Sequence, residues 1–170
     1  MSSSRMQHHV SGRLSLRPPQ AESLAKLVLA LEAAPEMLQY PQNLPSILAT
    51  LMAQFPTLED FEKRDFPSLC FSLATGVGKT RLMGAFIAYL HLEYQINNFF
   101  VLAPNLTIYN KLISDFTPNT PKYVFKGIGE FSINVPRVIT GDNYDQQNIL
   151  GGELFGEVRI NIFNISKINS

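Results

Sequence analysis

The stretch Ala74-Thr75-Gly76-Val77-Gly78-Lys79-Thr80 decides how this chain is interpreted. It follows the short apolar run 69–73, which is typical of a buried strand, and it precedes a pattern of apolar residues at helical spacing. Gly76 and Gly78 lack Cβ atoms, so the backbone can turn tightly there and approach an anion closely. Successive backbone N–H groups at the start of a helix then cradle phosphate oxygens. The sequence therefore predicts a phosphate-binding loop between a strand and a helix.

Side chains in and after this loop suit a nucleoside triphosphate with Mg²⁺. The Lys79 ammonium group can reach the β and γ phosphates, and the Thr80 hydroxyl can ligate Mg²⁺, so both are predicted to be catalytic. The full eight-residue phosphate-loop pattern has glycine at position 73, where this chain has Leu73. The predicted residues that bind ATP in this segment are Thr75, Gly76, Val77, Gly78, Lys79, Thr80 and Arg81. The alternatives are a glycine-rich turn with a surface lysine and, for Arg81, a side chain in solvent.

The apolar pattern outside the loop predicts an α/β fold. Helical stripes precede the loop near residues 18–34 and 43–55 and follow it near 79–91 and 105–116. Strands are predicted at residues 69–73, 99–103, 123–125, 131–135, 137–140 and 158–162. The order of strand, helix, strand and helix after residue 69 indicates parallel strands with crossover helices, as in a doubly wound sheet. Residues 1–13 are predicted to be a disordered tail, and 14–170 to form one domain.

Composition limits the remaining classes of protein. The chain has 170 residues, 45% of them hydrophobic, and 14 basic residues balance 14 acidic ones. Zero net charge argues against affinity based on bulk positive charge, so nucleic-acid binding would need a local patch. Cys70 is the single cysteine, which excludes an internal disulfide and favours a reducing compartment. It is predicted to be a buried strand residue. No secretory signal or membrane span is visible, so we expect a cytoplasmic protein.

Several motifs in this order resemble those of superfamily 2 helicases and translocases. Thr75-Gly76-x-Gly78-Lys79-Thr80 is similar to motif I, and residues 16–20 (LRPPQ) resemble the element whose glutamine reads the adenine edge. The resemblance assigns that role to Gln20, and a polar residue at a helix start is the alternative. Residues 101–106 (VLAPNL) look like motif Ia, and 160–167 (INIFNISK) resemble motif Ib. The resemblance implies nucleic-acid contacts at Pro104, Asn105, Asn164, Ser166 and Lys167.

Among these helicases, residues 14–168 look most like the helicase (Res) subunit of type III restriction enzymes. That resemblance implies a RecA-like P-loop NTPase domain with a mostly parallel sheet flanked by helices. It also implies ATP and Mg²⁺ as cofactors, duplex DNA as the track, and a modification subunit as a partner. Two positions depart from the pattern: Pro19 stands where an aromatic residue is common, and Asn105 replaces a frequent arginine. Asn105 also suits the N-cap of the following helix.

An ATPase of this kind needs an acidic pair in which Asp holds Mg²⁺ and Glu orients the attacking water. No such pair follows an apolar run downstream of Lys79, where the acids are Glu93, Asp115, Glu130, Asp142, Asp145, Glu153 and Glu157. The resemblance implies that the pair and a second core domain lie beyond Ser170. The sequence thus predicts an N-terminal part of a larger motor, with an incomplete domain that binds nucleotide and barely hydrolyses it.

Two other functions remain open. A small phosphate-loop nucleotide kinase would need a lid with several arginines, whereas the arginines after the loop are Arg81, Arg137 and Arg159. A non-catalytic nucleotide-binding or assembly module would retain the loop without turnover. A dinucleotide-binding fold is disfavoured, because Gly78 is followed by Lys79-Thr80 without a third glycine three residues on.

Overall fold

A parallel sheet of three strands stands at the centre of the structure, a computed structural model that describes residues 3–39, 42–61, 64–143 and 157–165. The strands are β1 (Asn98–Ala103), β2 (Arg137–Thr140) and β3 (Arg159–Asn164). Their order is β1-β3-β2, and both pairings are parallel. The central strand β3 buries Ile160 and Ile162 completely. The predicted strands near residues 99–103, 137–140 and 158–162 and their parallel arrangement are confirmed.

Helices precede the first strand and lie between the first two strands along the chain, and those predicted near residues 18–34, 43–55, 79–91 and 105–116 are confirmed. The α-helices are α1 (Ser3–Arg13), α2 (Pro18–Ala33), α3 (Leu44–Gln54), α4 (Lys79–Tyr94), α5 (Leu106–Phe116) and α6 (Glu130–Ile133), with a 3₁₀ turn at Pro35–Leu38. Asn43 and Asn105 are N-caps, and their side-chain oxygens accept hydrogen bonds from backbone N–H groups three residues on. Such caps satisfy amides that would otherwise lack a partner in the first turn.

The hydrophobic core has two parts. The larger part joins α1, α2 and α4 to the sheet and to the segment around residues 123–131, and it includes Val10, Leu24, Tyr89, Phe131 and Ile160. The smaller part lies between α2 and α3, around Ala30, Ile47, Leu51 and Phe61. Helix α3 thus lies between Gln20 and the glycine loop along the chain, where the apolar stripe near residues 43–55 predicts a helix. In the described part of the chain, no helix combines the length and apolar character needed to cross a membrane.

The N-terminal segment is a helix, so the prediction of a disordered tail over 1–13 is wrong for Ser3–Arg13. Val10 is fully buried, Met6 packs against the same core, and α1 contacts both α2 and α4. The prediction failed because only a few apolar residues, four apart, mark the buried side of an otherwise polar helix. Packing against neighbouring elements stabilises such a helix more than its intrinsic propensity does.

The apolar run before the loop is not a strand. Residues 69–73 have no regular secondary structure, and the sheet of the described residues consists of β1, β3 and β2 only. Cys70 is exposed, which corrects the prediction that it is buried. Phe71 still packs edge-on against Phe86 of α4, with ring centroids 4.9 Å apart. An apolar run forms a strand only where a neighbouring strand pairs with its backbone groups, and none of the three strands of this sheet pairs with residues 69–73.

Two further predicted strands are also absent. Residues 124–125 lie in a turn and Tyr123 has no regular secondary structure, and the run predicted as a strand at 131–135 lies largely in the short helix α6. Phe125 packs edge-on against both Phe116 and Phe131, with ring centroids 5.5 and 4.6 Å apart. Burial also raises the pKa of Tyr123 to about 12. The aromatic residues here pack in a cluster and not on one face of a sheet. Their burial therefore does not follow the alternation of apolar and polar residues that is typical of a strand.

Candidate nucleotide-binding site

The glycine loop adopts the backbone conformation that its sequence requires. Gly76 has φ of 82°, and Gly78 has φ of 92° and ψ of 50°, both in the left-handed region. Gly78 is the N-cap of α4, so the helix begins at Lys79 immediately after the loop. Lys79 is exposed and Thr80 is half-buried in the first turn. The positive end of α4 therefore lies next to the Lys79 and Thr80 side chains, which would contact a phosphate.

The side chain of Gln20 connects α2 to this loop. Its amide nitrogen Nε2 donates to the carbonyl oxygens of Val77 and Gly78, both at 2.9 Å, and its Oε1 accepts from the backbone N–H of Arg17 at 2.8 Å. The residue is 1% exposed. Both amide hydrogens are thus engaged with the loop in this structure. Adenine recognition by Gln20 stays a prediction, and it would require the amide to exchange these partners.

Gly78 is required at its position for a second reason. A Cβ atom placed there would lie 2.6 Å from Gln20 Nε2, closer than real contacts allow. At Gly76, by contrast, a Cβ atom would meet nothing within 4 Å. The positive φ angle therefore favours glycine at both positions, while close approach by another side chain adds to the requirement only at Gly78.

Two arginines also lie close to the loop. Arg17 Nη1 donates to the carbonyl oxygen of Gly76 at 3.5 Å, at the long end of the hydrogen-bond range. Arg81 Nη1 donates to the carbonyl oxygen of Leu14 at 2.7 Å, just after the end of α1. The sequence offered phosphate or solvent as partners of Arg81, and the structure instead connects it to the N-terminal helix. Phosphate contact by Arg81 stays a prediction.

Thr80 has a neighbour that the sequence analysis did not identify. The Lys111 ammonium group on α5 donates to Thr80 Oγ1 at 3.2 Å and forms an ion pair with the Asp115 carboxylate. The spacing of four residues between Lys111 and Asp115 is a signal for an ion pair along one helix. Contact with Thr80, which lies 31 residues earlier, has no sequence signal because the fold alone brings α4 and α5 together.

The residues of the loop fit a triphosphate with Mg²⁺. Left-handed glycines, a helix N-terminus, an exposed lysine and a hydroxyl next to it are the features that hold phosphate oxygens and one ligand position of Mg²⁺. Among the described residues, no group of three or more His, Cys, Asp or Glu side chains is placed to hold a metal ion. This part of the chain therefore offers Thr80 as a metal ligand beside the phosphates themselves.

The predicted nucleic-acid contacts lie at the carboxyl ends of two neighbouring strands. Ala103 at the end of β1 is in register with Asn164 at the end of β3, so Pro104, Asn105 and Asn164 share one edge of the sheet. Pro104 and Asn105 are exposed, and Asn105 also caps α5 through a 2.9 Å hydrogen bond. Asn164 is 1% exposed, which does not favour direct contact with a large ligand. Ser166 and Lys167 lie outside the described residues.

A comparison with protein families adds independent information. Residues 13–170 match the family described as type III restriction enzyme, res subunit. No curated protein and no solved structure matches the chain. The family match spans the glycine loop, all three strands and every helix after α1. The chain therefore belongs to the family of type III restriction enzyme res subunits, and its α/β fold is a RecA-like, helicase-type ATP-binding domain.

Proposed function

We propose that this chain is the ATP-binding part of an ATP-dependent DNA helicase or translocase, acting in a restriction system of type III character. The observation that carries the proposal is the glycine loop at the start of α4. It combines two glycines with positive φ angles, an exposed lysine and a threonine hydroxyl. Gln20 of α2 stabilises it through two hydrogen bonds. Family membership supports the helicase class.

In this proposal each part of the loop has a separate task. Backbone N–H groups of the loop and of the first turn of α4 bind phosphate oxygens, and Lys79 adds a positive charge at the β and γ phosphates. Thr80 offers its hydroxyl oxygen to Mg²⁺, which when bound would neutralise charge that develops on the phosphates. Gln20 holds the carbonyl oxygens of Val77 and Gly78 on the side of α2 and so supports the loop before nucleotide binds.

The finer parts of the proposal concern partners. We infer that duplex DNA passes the sheet edge at Pro104 and Asn105, which are exposed where β1 ends. Contacts to the DNA backbone there would be independent of sequence. A modification subunit would be the natural protein partner, and the cytoplasm the compartment. A non-catalytic nucleotide-binding module is the second candidate, favoured by the lack of a clustered acidic metal site among the described residues.

The loop is tested by the affinity for a fluorescent ATP analogue with Mg²⁺. Lys79→Ala should raise Kd about 10- to 100-fold, since a charge-assisted hydrogen bond contributes about 1.5–3 kcal/mol. Lys126→Ala is the matched control, because Lys126 is also exposed and lies 47 residues after Lys79 along the chain. Equal affinities of wild type and Lys79→Ala would show that the loop is not the nucleotide site.

A further inference from the structure

The Lys111 ammonium group lies between a neutral hydroxyl oxygen and a charged carboxylate oxygen. On one side is the Thr80 hydroxyl at 3.2 Å, and on the other is the Asp115 carboxylate, one helical turn along α5. The Asp115 side chain is 6% exposed and that of Lys111 is 48% exposed. A buried carboxylate is costly unless it is paired, so Asp115 keeps the ammonium group in place.

The surroundings of α5 fix this pair further. The carbonyl oxygen of Asp115 accepts a hydrogen bond from the Val124 N–H at 2.9 Å, which connects the end of α5 to the aromatic cluster. The helix also packs against β1 and β3 and begins at the Asn105 cap. The stretch of α5 that carries Lys111 and Asp115 is thus anchored to the sheet and to the aromatic cluster, and the position of the ammonium group depends on this packing.

The hydroxyl that Lys111 contacts is the one that the proposed function assigns to Mg²⁺. Mg²⁺ binds oxygen at about 2.0–2.1 Å and demands near-octahedral geometry. An ammonium group that already donates to the same oxygen competes for its lone pairs and adds a like charge beside the ion. Without Mg²⁺, the same ammonium group is an extra cation beside the triphosphate.

We propose that Lys111, held by Asp115, is a positioning residue that occupies the Thr80 hydroxyl until Mg²⁺ takes it over, and so sets how strongly nucleotide binding depends on Mg²⁺. The inference rests on the proposed function of the loop. Lys111 therefore favours metal-free nucleotide and opposes the metal complex. Its removal strengthens the coupling between Mg²⁺ and nucleotide, in contrast to a merely structural change, which weakens both complexes alike.

The test measures Kd for a non-hydrolysable ATP analogue with saturating Mg²⁺ and with EDTA, on the whole 170-residue chain. In Lys111→Met, binding in EDTA should weaken and binding in Mg²⁺ should not. The Kd in EDTA divided by the Kd in Mg²⁺ should therefore rise about tenfold relative to wild type. Lys26→Met is the matched control, since Lys26 pairs with Glu22 at the same spacing on an exposed helix face. Its ratio should equal that of wild type.

Charge-preserving and neutral variants separate the proposal from a packing effect. Lys111→Arg should keep the wild-type ratio, and Lys111→Gln, which retains a donor without the charge, should behave like Lys111→Met and serves if the latter fails to fold. If wild type binds nucleotide through Lys79 but neither neutral variant changes the ratio, this inference is wrong and the proposed function stands. If wild type binds no nucleotide under either condition, both fall.

Discussion

At the scale of single residues, Gly76 and Gly78 both adopt the backbone conformation that the loop needs, but the surroundings of their Cβ positions differ. Gly76 has a positive φ angle and open space where a Cβ atom would stand. Gly78 has a positive φ angle and Gln20 at 2.6 Å from that position. Gly12 in α1 has neither constraint, because its backbone is helical and no atom lies within 4 Å of the Cβ position. The three positions therefore form a graded series.

Alanine substitution at these glycines should change the free energy of unfolding in a fixed order. Gly12→Ala should stabilise the protein by about 0.5–1 kcal/mol, since glycine is a poor helix residue. Gly76→Ala should destabilise it by about 1–2 kcal/mol through backbone strain alone. Gly78→Ala should cost more than Gly76→Ala, because Gln20 must also give up its hydrogen bonds to Val77 and Gly78.

Urea denaturation monitored by circular dichroism would measure the three variants against wild type. Nucleotide affinity adds a second measurement, since Gly78→Ala should weaken binding more than Gly76→Ala does. Equal stabilities of the two loop variants would contradict the role assigned to the Gln20 contact. A neutral Gly76→Ala would contradict the left-handed conformation itself.

At the scale of elements, residues 69–73 are the segment on which sequence and structure disagree most. The apolar run predicts a buried strand, whereas the structure shows irregular backbone with Cys70 exposed. The exposed thiol gives a direct measure of this difference, because Cys70 is the single cysteine in the chain. Thiol reactivity follows access as well as thiolate character.

Cys70 in the native protein should react with a disulfide reagent within about tenfold of the rate in urea-denatured protein, since no structure has to open first. The measurement is the release of the coloured thiolate over time, with the Cys70→Ser variant as the blank. A native rate slowed by several orders of magnitude would instead indicate the buried strand that the sequence pattern favours.

Other elements show why some of the fold follows from the sequence and some does not. Helices α2, α3 and α5 were predictable because each has an apolar stripe and a proline or asparagine at its start. Strand β3 was predictable from the alternation of apolar and polar residues. Residues 123–135 were not, because burial in an aromatic cluster leaves no periodic pattern.

The candidate site divides in the same way. The glycine loop, Lys79 and Thr80 form a continuous motif, so the local sequence was enough to predict them as a candidate site. The hydrogen bonds from Gln20 to the loop join residues that are 57 and 58 positions apart in the sequence. The contact of Lys111 with Thr80 joins residues 31 positions apart. Such contacts depend on how helices pack, which local patterns do not encode.

At the scale of the whole molecule, charge and sequence content limit what the chain does alone. Basic and acidic residues are equal in number, so attraction to DNA must come from local groups and should be weak and salt-sensitive. The acids downstream of Lys79 include no Asp-Glu pair. Asp115, which is connected to Thr80 through Lys111, is already paired with that lysine. We therefore expect the proposed nucleotide binding to be separable from nucleotide hydrolysis.

We expect the 170-residue chain to bind ATP with Mg²⁺ but to hydrolyse it only marginally. A positioned general base contributes about 10²–10⁴-fold to such a rate, and an arginine finger contributes about 10³–10⁵-fold more. Phosphate release measured over hours, with and without duplex DNA, should match that of Lys79→Ala purified identically, because trace contaminating ATPases would contribute equally to both. Rapid turnover lost in Lys79→Ala would contradict this expectation, since it would mean that residues already within the chain orient the attacking water.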